Sequence, residues 1–227
     1  MGAKISSGKK KRPAALPGNK PLPLWLSMES SAYTAVEETI FILDSLCRRH
    51  HLEYAIFGGI AAILYGSGRS TIDIDVIVRV DIDSLEVAYQ QFIEELRPLK
   101  KEPLEFFKRY YVLPAVHKRL GTKVDISAAL SQFEQEAIRR SRRLQYGTVE
   151  ASFCTPEDLI LFKLVANRER DILDVKDIVK RTRDSLDTAY LRTHARDFLE
   201  VDRPDILENL ERLLQRTDHD GQVHSVD

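Results

Sequence analysis

The sequence is poor in the residues that mark several common classes of protein. It has two cysteines, two methionines and one tryptophan in 227 residues. Cys47 and Cys154 are too few for a disulfide framework. The histidines show no zinc-ligand spacing with them. The longest uncharged apolar stretch, Tyr54–Gly68, is short and interrupted by glycines, which excludes it as a membrane span. No N-terminal apolar run resembles a signal peptide, there are no internal repeats, and no GxxxxGK[ST] loop occurs. A soluble protein of a reducing, cytoplasmic compartment is expected. Hydrophobic residues make up 43% and charged residues 30%, a globular balance that excludes disorder throughout.

The net charge of −1 conceals an uneven distribution. Residues 1–28 carry six Lys/Arg and no Asp/Glu, so the rest of the chain is acidic. Within that rest, Arg97–Arg143 holds 12 basic and 5 acidic residues. Such asymmetry points to an anionic partner for one face. Residues 1–28, with Pro13, Pro17, Pro21 and Pro23, read as a flexible basic tail. Met28 is an alternative start. The opening MGAKIS also fits a myristoylation pattern, with Lys9–Arg12 as a polybasic second signal, and the same four residues admit a nuclear-import reading beside that of a plain solvated tail.

Periodicity sets out the body. Val36, Ile40, Leu43 and Cys47 share one helical face, predicting a helix over Ser30–Arg49. Glu53–Phe57 reads as a buried strand broken by Gly58-Gly59, and Ile60–Tyr65 as a short helix. Thr71–Val80 alternates and is rich in β-branched residues, which makes it the clearest strand. A helix is expected over Ser84–Leu96, strands over Tyr110–Val116 and Lys123–Ile126, a helix over Gln132–Arg140 and a strand over Thr148–Phe153. Thr155-Pro156-Glu157-Asp158 has the form of a helix start. Helices are expected from there to Ala166, over Ile172–Lys180, Asp187–Leu199 and Pro204–Gln215. The expected division is a tail (1–28), an α/β core with a small mixed sheet (29–154), a helical C-terminal part (155–216) and a disordered end (217–227).

The segment Phe57–Val78 carries the chemistry. Thirteen residues separate Gly59 from Asp73, and Asp73 and Asp75 stand two apart on a strand, so their side chains share a face. Two carboxylates on an apolar strand are costly unless a cation pairs them, and hard divalent ions take oxygen ligands. Asp125, in a second short β-like run, joins them if that strand lies alongside. Three carboxylates can serve in-line phosphoryl transfer with divalent metals, Asp125 then being a third ligand or the base for the attacking hydroxyl. Gly58 and Gly59 let phosphate oxygens approach backbone N–H groups.

Phe57-Gly58-Gly59 followed by Asp73-Ile74-Asp75-Val76 resembles the polymerase-β-like nucleotidyltransferase superfamily. Arg69-Ser70-Thr71-Ile72-Asp73 is similar to the element preceding the carboxylates in its AbiEii-type branch and in related small nucleotidyltransferases. Thr155–Leu164 followed by Arg168–Val175 resembles that branch's later element, with Lys163 as its lysine. The resemblance spans about Tyr54–Val179. It implies a nucleotidyltransferase-like α/β fold and metal-dependent transfer of NMP from an NTP to an acceptor hydroxyl. Asp73, Asp75 and Asp125 would act as catalytic and metal-binding residues with Mg²⁺ or Mn²⁺. Gly58, Gly59, Arg69, Thr71 and Lys163 would hold the nucleotide. It further implies RNA or tRNA, or a partner toxin or antitoxin, as candidate acceptors, with an aminoglycoside-like small molecule as a third.

Each feature also has a plain structural reading. The glycine pair is a turn, Asp73 and Asp75 a solvated strand face, Asp125 a surface acid, Lys163 a solvated lysine, and Asp171, Asp174 and Asp177 a polar helical face with Lys176 and Lys180. Their ordered combination favours the site. A non-catalytic binding or regulatory module on the same fold is the competing class. Lys100, Lys101, Lys108, Arg109, Lys118, Arg119 and Lys123 interleave with Phe106, Phe107, Tyr110 and Tyr111, and Arg139–Arg143 adds further charge. That pattern suits an RNA backbone with unstacked bases, or else a solvated face over core aromatics.

Overall fold

Ile74, Val76, Ile77 and Val78 are buried on both sides of one strand, the pattern of a strand inside a sheet rather than at its edge. In the computed structural model, which describes residues 34–220 and side chains as far as 215, that strand is β2 (Ile74–Val78). The other strands are β1 (Tyr54–Phe57), β3 (Leu96–Pro98), β4 (Val112–His117), β5 (Lys123–Ala128), β6 (Arg142–Tyr146) and β7 (Val149–Phe153). They form one mixed sheet in the order β3-β4-β5-β2-β1-β7-β6. β2 runs parallel to β5, and β1 parallel to β7; the other neighbours are antiparallel. The expected α/β fold with a mixed sheet is observed. The expectations for the N-terminal tail and Met28 lie on residues 1–33, outside the described residues; of the end expected to be disordered, residues 217–220 continue the last helix, and 221–227 lie outside the described residues.

Helix α1 (Ala35–Arg49) begins at a capping box: Thr34 accepts from the Glu37 N–H, and the Glu37 carboxylate accepts from the Thr34 N–H, which satisfies two orphan donors. Glu37 also accepts from the Thr148 N–H at 2.9 Å, tying this helix end to the β6–β7 turn. Helix α2 (Gly58–Leu64) follows β1 directly. Helices α3 (Leu85–Phe92), α4 (Pro103–Tyr110) and α5 (Gln132–Arg139) lie between the strands. Helix α6 (Pro156–Ala166) starts as the sequence predicts, with Thr155 accepting from the Asp158 N–H and Pro156 in the first turn. It packs on α2 and on α7 (Glu169–Thr182), α8 (Thr188–Asp197) and α9 (Pro204–Asp220). Leu159, Ile160, Leu161 and Leu164 of α6 join the same core as Ile56, Val76 and Phe153 of the sheet. No helix among the described residues is long and apolar enough to cross a membrane.

Several boundaries differ from the sequence pattern. Thr71–Asp73 lie outside β2, and Ile72 is 67% exposed rather than packed beneath the strand. The helix predicted to run to Leu96 ends at Phe92, and Leu96 starts the short strand β3. Arg142–Tyr146, read only as charge, is the edge strand β6, and α4 fills a stretch given no element. α9, predicted to end at Gln215, continues to Asp220.

Candidate active site

β1 and β2 are antiparallel, so the end of β1 lies beside the start of β2: Phe57 is the register partner of Asp75. On the other side of β2, Asp75 pairs with Asp125 of β5, and Asp125 pairs with Pro114 of β4. Register partners point to the same face. Phe57, Asp75, Asp125 and Pro114 therefore form a row across four strands, with Asp73 on the lip two residues before Asp75. The sequence leaves open whether β5 neighbours β2; the sheet places them side by side.

The glycine pair lies against this row. Gly58 has φ +66°, a left-handed conformation that suits glycine, and a Cβ there would fall inside the Asp75 carboxylate. The Gly59 N–H donates to Asp75 Oδ2 at 3.4 Å. A Cβ at Gly59 would lie 2.8 Å from both Arg69 Nη2 and Thr71 Cγ2. The loop after α2 thus folds back over the glycines. Thr71 Oγ1 accepts from the Asp73 N–H at 3.3 Å and shapes the turn that presents Asp73.

Burial pushes the Asp75 carboxyl above the usual carboxylate range, and the charges of Asp125 and Asp73 add to that; the Gly59 N–H and Lys163 oppose them. Asp125 is also pushed up, first by burial and then by Asp73, against the charges of Lys123 and Lys100. Burial and neighbouring like charge both disfavour the ionised carboxylate.

Behind the row lies a buried ionic cluster. Lys163 is 3% exposed and bonds to Asp174 at 2.5 Å and Asp171 at 3.3 Å. Asp174 also accepts from Ser67 Oγ at 2.7 Å and from Arg69 Nη1 at 2.9 Å. Burial drives the Asp174 carboxyl up, but the bonds from Lys163, Ser67 and Arg69 outweigh it and hold the group below the ordinary range. Arg168 Nε pairs with the second oxygen of Asp171, and its charge reaches Asp75. The solvated-lysine reading of Lys163 and the polar-face reading of Asp171 and Asp174 are thereby excluded. Sequence reasoning missed Ser67 and Arg168. Arg168 stands inside the quoted later element, whereas Ser67 carries no local signal because its partner is 107 residues away.

The arginine run is turned to other ends. Arg140 bonds to Asp158 at 3.2 Å and lies 3.7 Å over the Tyr190 ring, Arg143 pairs with Asp44 and Glu150, and Arg139 with Glu136. Three of its four cations are engaged within the protein, which removes most of the free charge expected there.

As they stand, no three His, Cys, Asp or Glu side chains among the described residues are gathered closely enough to hold a metal ion. The donor chemistry nonetheless fits a hard divalent cation: Asp73 and Asp75 offer only oxygen, and among the described residues neither is held in an ion pair. Mg²⁺ commonly takes one or two carboxylates and completes its shell with water and substrate phosphate oxygens.

Residues 35–210 match the family described as "Nucleotidyltransferase of unknown function (DUF6036)". This chain belongs to that family. Membership agrees with the polymerase-β-like resemblance of the two motifs. The chain is similar in structure to an antigenic nucleotidyltransferase-like protein from Paracoccidioides brasiliensis, at 17% identity over 78% of this chain and 92% of that one, TM-score 0.49. It is also similar to the lincomycin-bound lincosamide antibiotic adenylyltransferase LnuA, at 15% identity over 63% and 95% of the two chains, TM-score 0.43. A third similar structure is JHP933 from Helicobacter pylori, at 13% identity over 82% and 94%, TM-score 0.40. No curated protein matches the chain.

Proposed function

We propose that this nucleotidyltransferase moves NMP from an NTP to an acceptor hydroxyl and releases pyrophosphate. The observation that carries the reading is the register pairing of Asp75 with Asp125, with Asp73 at the lip and the glycine pair closed over Asp75. In this reading residues 29–154 form the catalytic core, and residues 155–216 supply the helices that carry Lys163.

Asp73 and Asp75 would hold Mg²⁺ or Mn²⁺. When bound, the ion supplies charge neutralisation at the triphosphate. Asp125 accepts the proton of the acceptor hydroxyl, and its upward shift makes it a better base than an ordinary carboxylate. The hydroxyl oxygen bonds to the α-phosphorus as the bond to the pyrophosphate oxygen breaks. Arg69 keeps one face of its guanidinium on Asp174 and turns Nη2 toward Gly59, so it can meet phosphate there. Arg168, on the same rim, offers a second cation. Lys163 acts from behind: buried between Asp171 and Asp174, it orients them and lends its field to Asp75. A toxin–antitoxin or defence role and cytoplasmic location accompany this reading through the sequence resemblance.

The test is a transfer assay with Mg²⁺, each α-³²P-labelled NTP, total RNA and cell lysate. Label in the RNA or protein fraction, absent with an Asp73→Ala/Asp75→Ala protein of unchanged circular dichroism, is the expected result. Full activity in that variant would falsify the assignment.

A further inference from the structure

The proposed chemistry makes no use of a cleft of about 400 Å³ beside β3 and α4. Lys100, Lys101, Phe106, Arg109 and Tyr110 line it, with Glu102 and Glu105. Phe106 and Tyr110 stand four apart on α4, so they share a helical face, and their ring centroids are 4.6 Å apart at 42°. Lys100 Nζ lies 4.7 Å over the Phe106 ring, and the Arg109 guanidinium 5.5 Å from that of Tyr110.

This is not a core face turned outward by chance. Phe107 is the residue of α4 that enters the core at full burial, whereas Tyr110 is 53% exposed. Lys108 on the same helix is paired with Glu86 at 2.9 Å. Among the described residues, Lys100, Lys101 and Arg109 make no ion pair with a carboxylate; Lys100 and Arg109 lie against rings instead. The exposed Tyr110 ring, the half-buried Phe106 ring beside it and the available cations together match a chain of stacked bases and phosphates. An acidic peptide would meet the cations but leave the rings without flat partners.

The cleft also adjoins the carboxylate row. The Leu99 N–H donates to the Pro114 carbonyl at 2.9 Å, and Pro114 is the register partner of Asp125. Lys100 therefore starts about 10 Å, two strand spacings, from the Asp125 strand.

We propose that this cleft receives the single-stranded end of a nucleic-acid acceptor. Its bases stack on Phe106 and Tyr110, its phosphates meet Lys100, Lys101 and Arg109, and its terminal hydroxyl is led toward Asp125. Only that last clause rests on the transfer reading; the binding stands apart from it.

The experiment is fluorescence anisotropy on the full chain with fluorescein-labelled (rU)12 and (rA)12, in buffer without NTP or divalent metal. The outcome then does not depend on whether the carboxylates catalyse anything. Both oligonucleotides should bind, and Tyr110→Ala and Tyr110→Leu should each weaken binding by about tenfold through lost stacking, with Tyr110→Phe restoring it. Lys100→Gln/Arg109→Gln should lower the slope of log affinity against log salt by about 1.4, from about 0.7 per phosphate contact. Lys108→Gln, on the same helix but already paired, should leave affinity and slope unchanged. Equal binding by wild type and the Tyr110 and Lys100/Arg109 variants would overturn the proposal, since the basic N-terminal residues would then account for all of it. Tighter binding of a labelled twelve-residue poly-glutamate peptide would overturn it in favour of a protein partner.

Discussion

Lys163 and Asp174 meet at 2.5 Å with both side chains almost wholly buried. The pair joins α6 to α7, and through Ser67 and Arg69 it fastens the loop between α2 and β2. A buried ion pair contributes little net stability relative to an apolar replacement, but breaking one leaves an uncompensated charge. Asp174→Ala should therefore cost about 3–5 kcal/mol, read as a fall in the urea midpoint, and should release Arg69 from its place over Gly59.

The same carboxylate sets an acid dependence. Its pKa is held below the ordinary aspartate value of 3.8 in the folded protein. A depressed folded pKa contributes stability that is fully present above the unfolded value and is lost as pH falls through the folded one. In Asp174→Asn the stability difference from wild type should thus be largest at neutral pH and shrink below about pH 4. A gap that stays constant from pH 7 to pH 3 would refute the linkage.

Gly58 has no room for a side chain while Asp75 keeps its place. Alanine at φ +66° is strained by about 1–2 kcal/mol, and its Cβ would displace the Asp75 carboxylate. Gly58→Ala should keep the fold, with a melting point lowered by several degrees, and lose transfer by at least about a hundredfold. A variant with normal kcat would mean that Asp75 does not need its observed position.

Arg140 and Arg143 serve packing. Arg140 neutralises Asp158, which is fully buried and also accepts from the Tyr190 hydroxyl at 2.7 Å. Arg143 serves Asp44, which also accepts from the Tyr54 hydroxyl at 2.6 Å. Alanine at either position should destabilise the protein by about 1–3 kcal/mol, measured by thermal or urea unfolding. At a temperature where both variants remain folded, oligonucleotide affinity should change far less than in the Lys100/Arg109 variant.

Arg69 offers a separable readout. Arg69→Lys retains a charge but not the planar fork that spans Asp174 and the Gly59 region. The Michaelis constant for NTP should rise by about tenfold, an expected loss of about 1.4 kcal/mol of ground-state binding, with a smaller change in kcat. A pure kcat effect would place Arg69 in the chemical step instead.

Asp73 and Asp75 were legible as a pair because their pattern is local, Asp-x-Asp after a glycine pair; Asp125 was legible as a third aspartate in a β-like run, but its place beside Asp75 came only with the pairing of β5 with β2. Also legible were α6, from its Thr-Pro cap, and the mixed α/β class. The strands β3 and β6 escaped notice because three or five residues of mixed polarity carry little periodicity; they exist by pairing with β4 and β7. Pro103 at the first turn of α4 was a usable signal, overlooked among the charges around it. The burial of Lys163, and the engagement of Arg140 and Arg143, could not be read along the chain. Their partners lie 7 to 99 residues away, and an unpaired lysine has the same sequence pattern as a buried one. Ile72 shows the opposite error: the alternation of Thr71–Val80 is real, but the strand begins only at Ile74.

The parallel pairing of β2 with β5 has a consequence for the order in which the protein matures. Asp75 and Asp125 are 50 residues apart, and parallel neighbours cannot meet until the whole intervening crossover has folded back. Arg69 waits longer still, for a partner 105 residues downstream on α7. Contacts of such separation form late and slowly. A ribosome-bound chain that has emerged only through β5 would carry all three aspartates with its arginine untethered. The site is thus complete only once α7 has been made, and if the proposed transfer holds, translation products that stop before it should be catalytically silent.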